Sequence, residues 1–277
     1  MPVIALTQGM GSLAQDIAEQ LAQELGLATL QHEVAERVAH KMNVPKSLIS
    51  RLRAGKAGAL ERLTADRDSI AVYSAEEVLE AAAAGNVVLR GWGATCLLRP
   101  VSHVPCIRIM RPFAQRVQWL MRELDTDDIE VAESEIRRSD HANASRMHEQ
   151  FGVDWGDPVL FDLVLNTDRL SVDTCVAQIR SLLSRPEFAE TAASRAQLQG
   201  MALSARVRAA LKATEDTGAV DVTIDSVDGK VTLRGIVVKT AERDAAEAVA
   251  AAVAGVAAVD NQLRVMASSR LFTSSKN

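Results

Sequence analysis

A chain of 277 residues with 48% apolar and 24% charged residues has the length for about two domains and the apolar content for substantial cores. Aromatics make up only 3%, so those cores must be built from Leu, Val, Ile and Ala, and a net charge of −5 argues against a nucleic-acid-binding surface. Cys96, Cys106 and Cys175 lack CxxC or CxxH spacing, so no metal site or redox pair is assigned, and all three read as buried small hydrophobes.

The chain opens with an apolar run (VIAL from Val3), a glycine-bearing turn (TQGMGS) and a helical pattern (LAQDIAEQLAQELG). Leu13, Ile17, Leu21 and Leu25 form one helical stripe, Ser12 is the expected N-cap, and Gly26 is the expected stop. A strand, a turn and a helix N-terminus in this order aim backbone N–H groups and the positive end of the helix dipole at one point, where a phosphate fits. From the turn alone, phosphate binding and a merely tight turn stand level, and the pattern GxxxxGK[ST] is absent.

Further on, LATLQ at 27–31 reads as a short strand, and helical segments follow to Leu63, broken by Pro45, Gly55 and Gly58. Their basic residues, Lys41, Lys46, Arg51, Arg53, Lys56 and Arg62, read as a solvated face, and none is assigned a role. A helix capped by Ser74, with Glu77 completing a capping box, runs to Ala84 ahead of the strand VVLRG. The stretch VPCIRIM is another buried strand, and Pro112 opens a helix bearing Val117, Leu120 and Met121. A charged helical segment spans 125–151, LFDLVLNT at 160–167 is the last strand, and VDTCVAQIRSLLS is the helix that closes the domain. Alternating strands and helices predict an α/β fold, a parallel sheet with helices on both faces and any ligand at the carboxyl ends of the strands.

Four blocks together, GSLAQDIAEQLAQELG, GNVVLRGWGATCLL, IRIMRPFAQRVQWLM and DWGDPVLFDLVLNTDRL, resemble the cytidylate kinase-like P-loop proteins, relatives of nucleoside monophosphate kinases, from Val3 to about Leu183. The resemblance implies a domain at 1–183 that binds ATP with magnesium at Gly9, Gly11, Ser12 and Gln15. It implies a substrate phosphate at Arg116, Arg137, Arg138 and Asp140 under a lid. The sequence also departs from that family. Its members carry roughly GSGG and then a basic residue where this chain reads Gly11, Ser12, Leu13, Ala14, Gln15. Gln31 and His32 replace an Asp-Arg pair, Trp92 replaces an arginine, and Asn143 replaces the arginine after the lid aspartate. Independently of the family, residues 1–36 hold five acidic side chains and no Lys or Arg. For Arg137, Arg138 and Arg146, pairing with Glu133, Glu135 and Asp140 is the favoured reading over phosphate binding.

Residues 184–202 read as a linker, in part helical. A short helix (Leu203, Val207, Leu211), two alternating strands joined by Asp228-Gly229, an Ala-rich helix to about Ala254 and a last strand after Gly255 follow. This pattern, with DGKVTLRGIV and GVAAVDNQL, resembles the BON domain over 203–267, a small α+β module. The resemblance implies a binding role, through a protein partner or self-association. Eight basic and nine acidic residues over 203–267 give no attraction to anionic lipid, and the tail 268–277 is expected to be disordered. No export signal or membrane span is expected, which places the protein in the cytoplasm. The functional expectation is a kinase-like regulator with a degraded phosphate loop, assembled through its BON domain; an active CMP-like kinase is the alternative.

Overall fold

The computed structural model describes residues 1–30 and 32–266. Gln31, one of the departures above, and the tail expected to be disordered lie outside the described residues. The chain divides into two compact units, Met1–Leu198 and Gln199–Asn277.

Unit 1 is a five-stranded, wholly parallel sheet in the order β2-β3-β1-β4-β5. The strands are β1 (Val3–Gln8), β2 (Ala28–Leu30), β3 (Val87–Arg90), β4 (Cys106–Met110) and β5 (Leu163–Asn166). A parallel sheet needs apolar side chains on both faces. Ile4, Leu6, Val88, Ile107, Ile109 and Leu165 meet Ile17, Leu21, Val176 and Ile179 of α1 (Ala14–Leu25) and α9 (Val172–Leu183) on one face. The alternating residues Val3, Ala5, Val87, Leu89 and Cys106 are buried as well, and α5 (Arg67–Ala84) and α6 (Ala94–Leu97) pack against these strands. Between β2 and α5 lie three short helices, α2 (His32–Lys41), α3 (Lys46–Arg53) and α4 (Ala59–Thr64). After β4 come α7 (Phe113–Glu123) and the 23-residue α8 (Ile129–Phe151).

Two local expectations need correction. The helix expected from Ser74 starts at Arg67, where Asp66 caps it by accepting from the Ser69 amide at 2.9 Å. Ser74 and Glu77 therefore lie inside the helix and buried, with Glu77 paired to Lys41 at 2.7 Å. Ser12 does not cap α1 either: the cap position is Leu13, at φ 61, and the buried Ser12 Oγ has no partner.

Unit 2 is a three-stranded sheet, β6 (Val222–Val227), β7 (Lys230–Val237) and β8 (Ala258–Val265), in that order. The hairpin β6–β7 is antiparallel and turns on Asp228 and Gly229, at φ 49 and 78, the left-handed pair of a two-residue turn. β8 returns parallel to β7 after α11 (Thr240–Ala251), which opens with the Glu242 carboxylate accepting from the Val238 and Lys239 amides. The first helix, α10, is longer than the expected short segment at 203–211, running from Ala192 to Ala213. Nothing between Ala192 and Leu203 breaks a helix except the tolerated Gly200. Among the described residues no helix is long and apolar enough to cross a membrane.

Cys106 accounts for one thiol prediction. Burial, with the Asp162 carboxylate beside it, pushes its thiol up to about 12, so almost none of it is thiolate at neutral pH. Native protein at pH 7 is expected to leave Cys106 unlabelled by iodoacetamide, with labelling after denaturation; peptide mass mapping reads the result.

Candidate functional site

A cleft of about 290 Å³ opens at the carboxyl ends of β1 and β3. Its wall on the β1 side is the turn from Gly9 to Leu13 and the first residues of α1. Gly11, at φ 77, lets the turn close: a Cβ there would sit 2.9 Å from the Trp119 ring and 3.2 Å from the Arg116 carbonyl oxygen. No side chain caps α1, so its N-terminal amides face the cleft together with the orphaned Ser12 hydroxyl. Gly9, Gly11, Ser12 and Gln15, the expected phosphate ligands, all line this cleft. Gln15, however, donates through Nε2 to Glu19 Oε1 at 2.8 Å.

The LVLNT block braces this turn from behind. Thr167 Oγ1, buried, donates to the Ser12 carbonyl oxygen at 3.0 Å. The floor is Trp155, whose Nε1 donates to Thr7 Oγ1 at 3.1 Å and whose ring carries the buried Arg108 guanidinium at 4.6 Å. Thr167→Val removes one hydrogen bond, worth about 0.5–1.5 kcal/mol, and orphans the Ser12 carbonyl. The expected result is a correspondingly lower stability in denaturant titration, with the sheet intact by circular dichroism.

Arg116 and Asp140 do not stand free for a substrate. They pair with each other, Nη2 to Oδ2 at 2.5 Å and Nη1 to Oδ1 at 2.9 Å, while Arg116 also donates to the Met10 carbonyl at 3.3 Å. The pair lies directly against Gly9 and shapes the turn. Arg137 and Arg138 lie outside the cleft. Arg137 pairs with Glu133 at 3.3 Å and stacks on Phe113, and Arg138 pairs with Glu135, so short-range helical neighbours hold both.

Three other arginines do enter the cleft: sequence reasoning gave Arg53 and Arg90 no role and favoured carboxylate pairing for Arg146, whose guanidinium instead donates to the Arg53 carbonyl and Asn143 Oδ1. Arg53 comes from the end of α3, Arg90 from the end of β3 and Arg146 from α8. Burial lowers the pKa of each; Arg146 lowers that of Arg53 further, while Glu19 and Asp16 act oppositely on Arg90. Arginine stays protonated at neutral pH, so the downward shifts mark positive charge short of compensation, which an anion would supply. Arg90 Nε is buried with no acceptor. Five other basic residues between β2 and α5 are engaged elsewhere: Arg37 with Glu77, Lys41 with Glu76, Lys46 with Glu36, Arg51 with Glu61 and Lys56 with Glu135. All three tryptophans of the chain, Trp92, Trp119 and Trp155, line the same cleft.

The cytidylate kinase-like family model matches residues 3–169. The chain belongs to the cytidylate kinase-like family. A BON domain matches residues 202–267, the whole of the unit 2 sheet with α11 and most of α10. The cytidylate kinase of Staphylothermus marinus is 28% identical over 137 residues, 50% of this chain and 76% of that protein. The cytidylate kinase of Pyrobaculum islandicum is 28% identical over 177 residues, 64% of this chain and 89% of that protein. The crystal structure of an uncharacterized protein from Eubacterium ventriosum matches the fold with a TM-score of 0.53 at 17% identity, covering 67% of this chain and 100% of that one.

The residues present fit the phosphates of a nucleotide such as ATP: amides at a helix N-terminus, an unpartnered buried hydroxyl and three arginines. Among the described residues no cluster of three or more His, Cys, Asp or Glu could hold a metal ion.

Proposed function

We propose that unit 1 binds a phosphorylated nucleotide in the cleft at Gly9–Gln15, transfers phosphate slowly or not at all, and is held to a protein partner or a second copy by the BON domain. The observation that carries this reading is the convergence of Arg53, Arg90 and Arg146 on a cleft whose own loop lacks a cation. Slow transfer follows from Gln15, which occupies the place of a basic residue and is turned to Glu19. A missing cation at the transferring phosphoryl group costs about 10³-fold or more in rate. The same arginines favour a second reading, an active CMP-like kinase whose transition state is stabilised from α3, β3 and α8.

Calorimetry with ATP, CTP, CMP and AMP, each with and without magnesium, should give binding, and a coupled assay from ATP to CMP, UMP, AMP or dCMP should give little or no turnover. Turnover near the ~1–100 s⁻¹ of ordinary kinases establishes the second reading instead. No binding of any nucleotide removes both.

A further inference from the structure

Trp92 and Arg53 form a unit inside the cleft. The Arg53 guanidinium carbon lies 3.3 Å from the centre of the Trp92 ring. The other end of Arg53 is also fixed, because its carbonyl oxygen accepts from Arg146 Nη1 and Nη2 at 3.2 and 3.1 Å, and Asn143 Oδ1 orients the same Arg146 Nη2 at 2.9 Å. Among the described residues the Arg53 guanidinium meets no carboxylate. A guanidinium stacked face-on keeps its N–H edge free, and that edge is a planar fork matched to phosphate oxygens. Trp92 itself sits at φ 58, between two glycines that are also left-handed. A buried aromatic residue held in that region is strained by about 1–3 kcal/mol, a cost that surrounding structure must sustain and that concentrates at functional positions.

We infer that Trp92 is a positioning residue: its ring holds Arg53 as a preformed fork for a phosphate group at the mouth of the phosphate loop. The inference rests on the nucleotide-binding reading of this cleft. It changes the meaning of the substitution at 92. An arginine is absent from the turn after β3, and a platform stands there that carries an arginine from α3. Burial and the nearby Arg146 charge leave the Arg53 guanidinium short of counter-charge, and a phosphate dianion supplies it. Rigidity matters to the affinity, since a long side chain already ordered loses less entropy on binding.

The ligand chemistry is a terminal phosphate, either on a nucleotide or as a free inorganic anion. Calorimetry on the full chain with CMP, cytidine and inorganic pyrophosphate separates these sources. Wild type should bind CMP and pyrophosphate but not cytidine. Arg53→Ala should weaken CMP about 10- to 100-fold, the range for losing a hydrogen bond to a charged group. Trp92→Ala should cost a similar factor, Trp92→Phe should recover most of it, and Arg53→Ala with Trp92→Ala should cost no more than Arg53→Ala alone. That non-additivity, with recovery by Phe, is what a purely structural role for Trp92 would not give. If Trp92→Ala fails to fold, Arg53→Ala and Trp92→Phe still decide.

The inference is overturned if Arg53→Ala binds CMP like wild type. It is also overturned if Trp92→Ala weakens CMP as much in the Arg53→Ala background as in wild type, because Trp92 then acts on the ligand directly. Pyrophosphate binding that depends on Arg53, without any nucleotide binding, upholds the fork and overturns the nucleotide reading. No binding of either probe by wild type overturns both.

Discussion

Gly11→Val should weaken nucleotide binding at least 100-fold. Gly11 is left-handed at φ 77, a region that a β-branched residue enters only with strain. Space is also lacking, since the new Cβ would lie 2.9 Å from the Trp119 ring and 3.2 and 3.3 Å from backbone atoms of Arg116. Arg116 cannot give way, because Asp140 holds it by two hydrogen bonds and it braces the Met10 carbonyl. The turn must therefore move away, and the amides at the start of α1 lose their common aim. Each hydrogen bond to a charged phosphate is worth about 1.5–3 kcal/mol, so losing two reaches the factor stated. The apolar cluster between the sheet and α1 begins at Ala14 and should persist. Calorimetry with the tightest nucleotide, beside a circular dichroism spectrum, reads both effects. Wild-type affinity in a folded Gly11→Val protein would place the ligand elsewhere.

The strands were legible because their apolar runs are short and bounded by glycine and proline, and β1, β4 and the β6–β7 hairpin lie where those runs lie. The turn before α1 was legible for the same reason. Helix starts were less so. α5 buries Tyr73, Ser74, Glu77, Val78 and Leu79, residues on too wide an arc for a clean stripe, and Ser74 with Glu77 imitated a capping box that burial and ion pairing explain instead. The arginines of the cleft were the least legible. Arg53, Arg90 and Arg146 are separated by 37 and 56 positions in the sequence, and only the closure of the sheet brings α3, β3 and α8 together. The arginines singled out instead, Arg137 and Arg138, lie four and three residues from the glutamates that hold them. An arginine whose helical neighbours at those spacings are acidic is already engaged. Arg146 has Ala142 and Asn143 at those spacings before it, and Glu149, three residues after it, pairs instead with Arg67 at 2.7 Å, which leaves the Arg146 guanidinium to the Arg53 carbonyl.

A fragment spanning Ala192–Met266 should fold alone, and Leu233→Asp should unfold it. The cluster of Leu203, Val207 and Leu211 on α10, Val222, Ile224, Val231, Leu233, Val237 and Leu263 on the sheet, and Ala246 and Ala250 on α11 is contained within these limits. Starting at Ala192 keeps α10 whole, whereas starting at Gly200 would cut it. A domain of this size buries only about 60% of the surface of its unfolded chain, so its margin is small. Leu233 lies at the centre of the middle strand and is fully buried, paired with Ile224 on one side and Asn261 on the other. Truncating a leucine at such a position costs about 2–5 kcal/mol. Aspartate adds the cost of a carboxylate with no cation facing it, and the sum exceeds what a domain near the low end of the usual ~5–15 kcal/mol can lose. Val227, Ile236 and Val238 remain exposed in unit 2, so the wild-type fragment should also show concentration-dependent association. Thermal melts followed by circular dichroism, with sedimentation at two concentrations, give the answer. An unfolded wild-type fragment would show that unit 2 depends on the rest of the chain, and a Leu233→Asp fragment melting with wild type would overturn the register that places Leu233 inside.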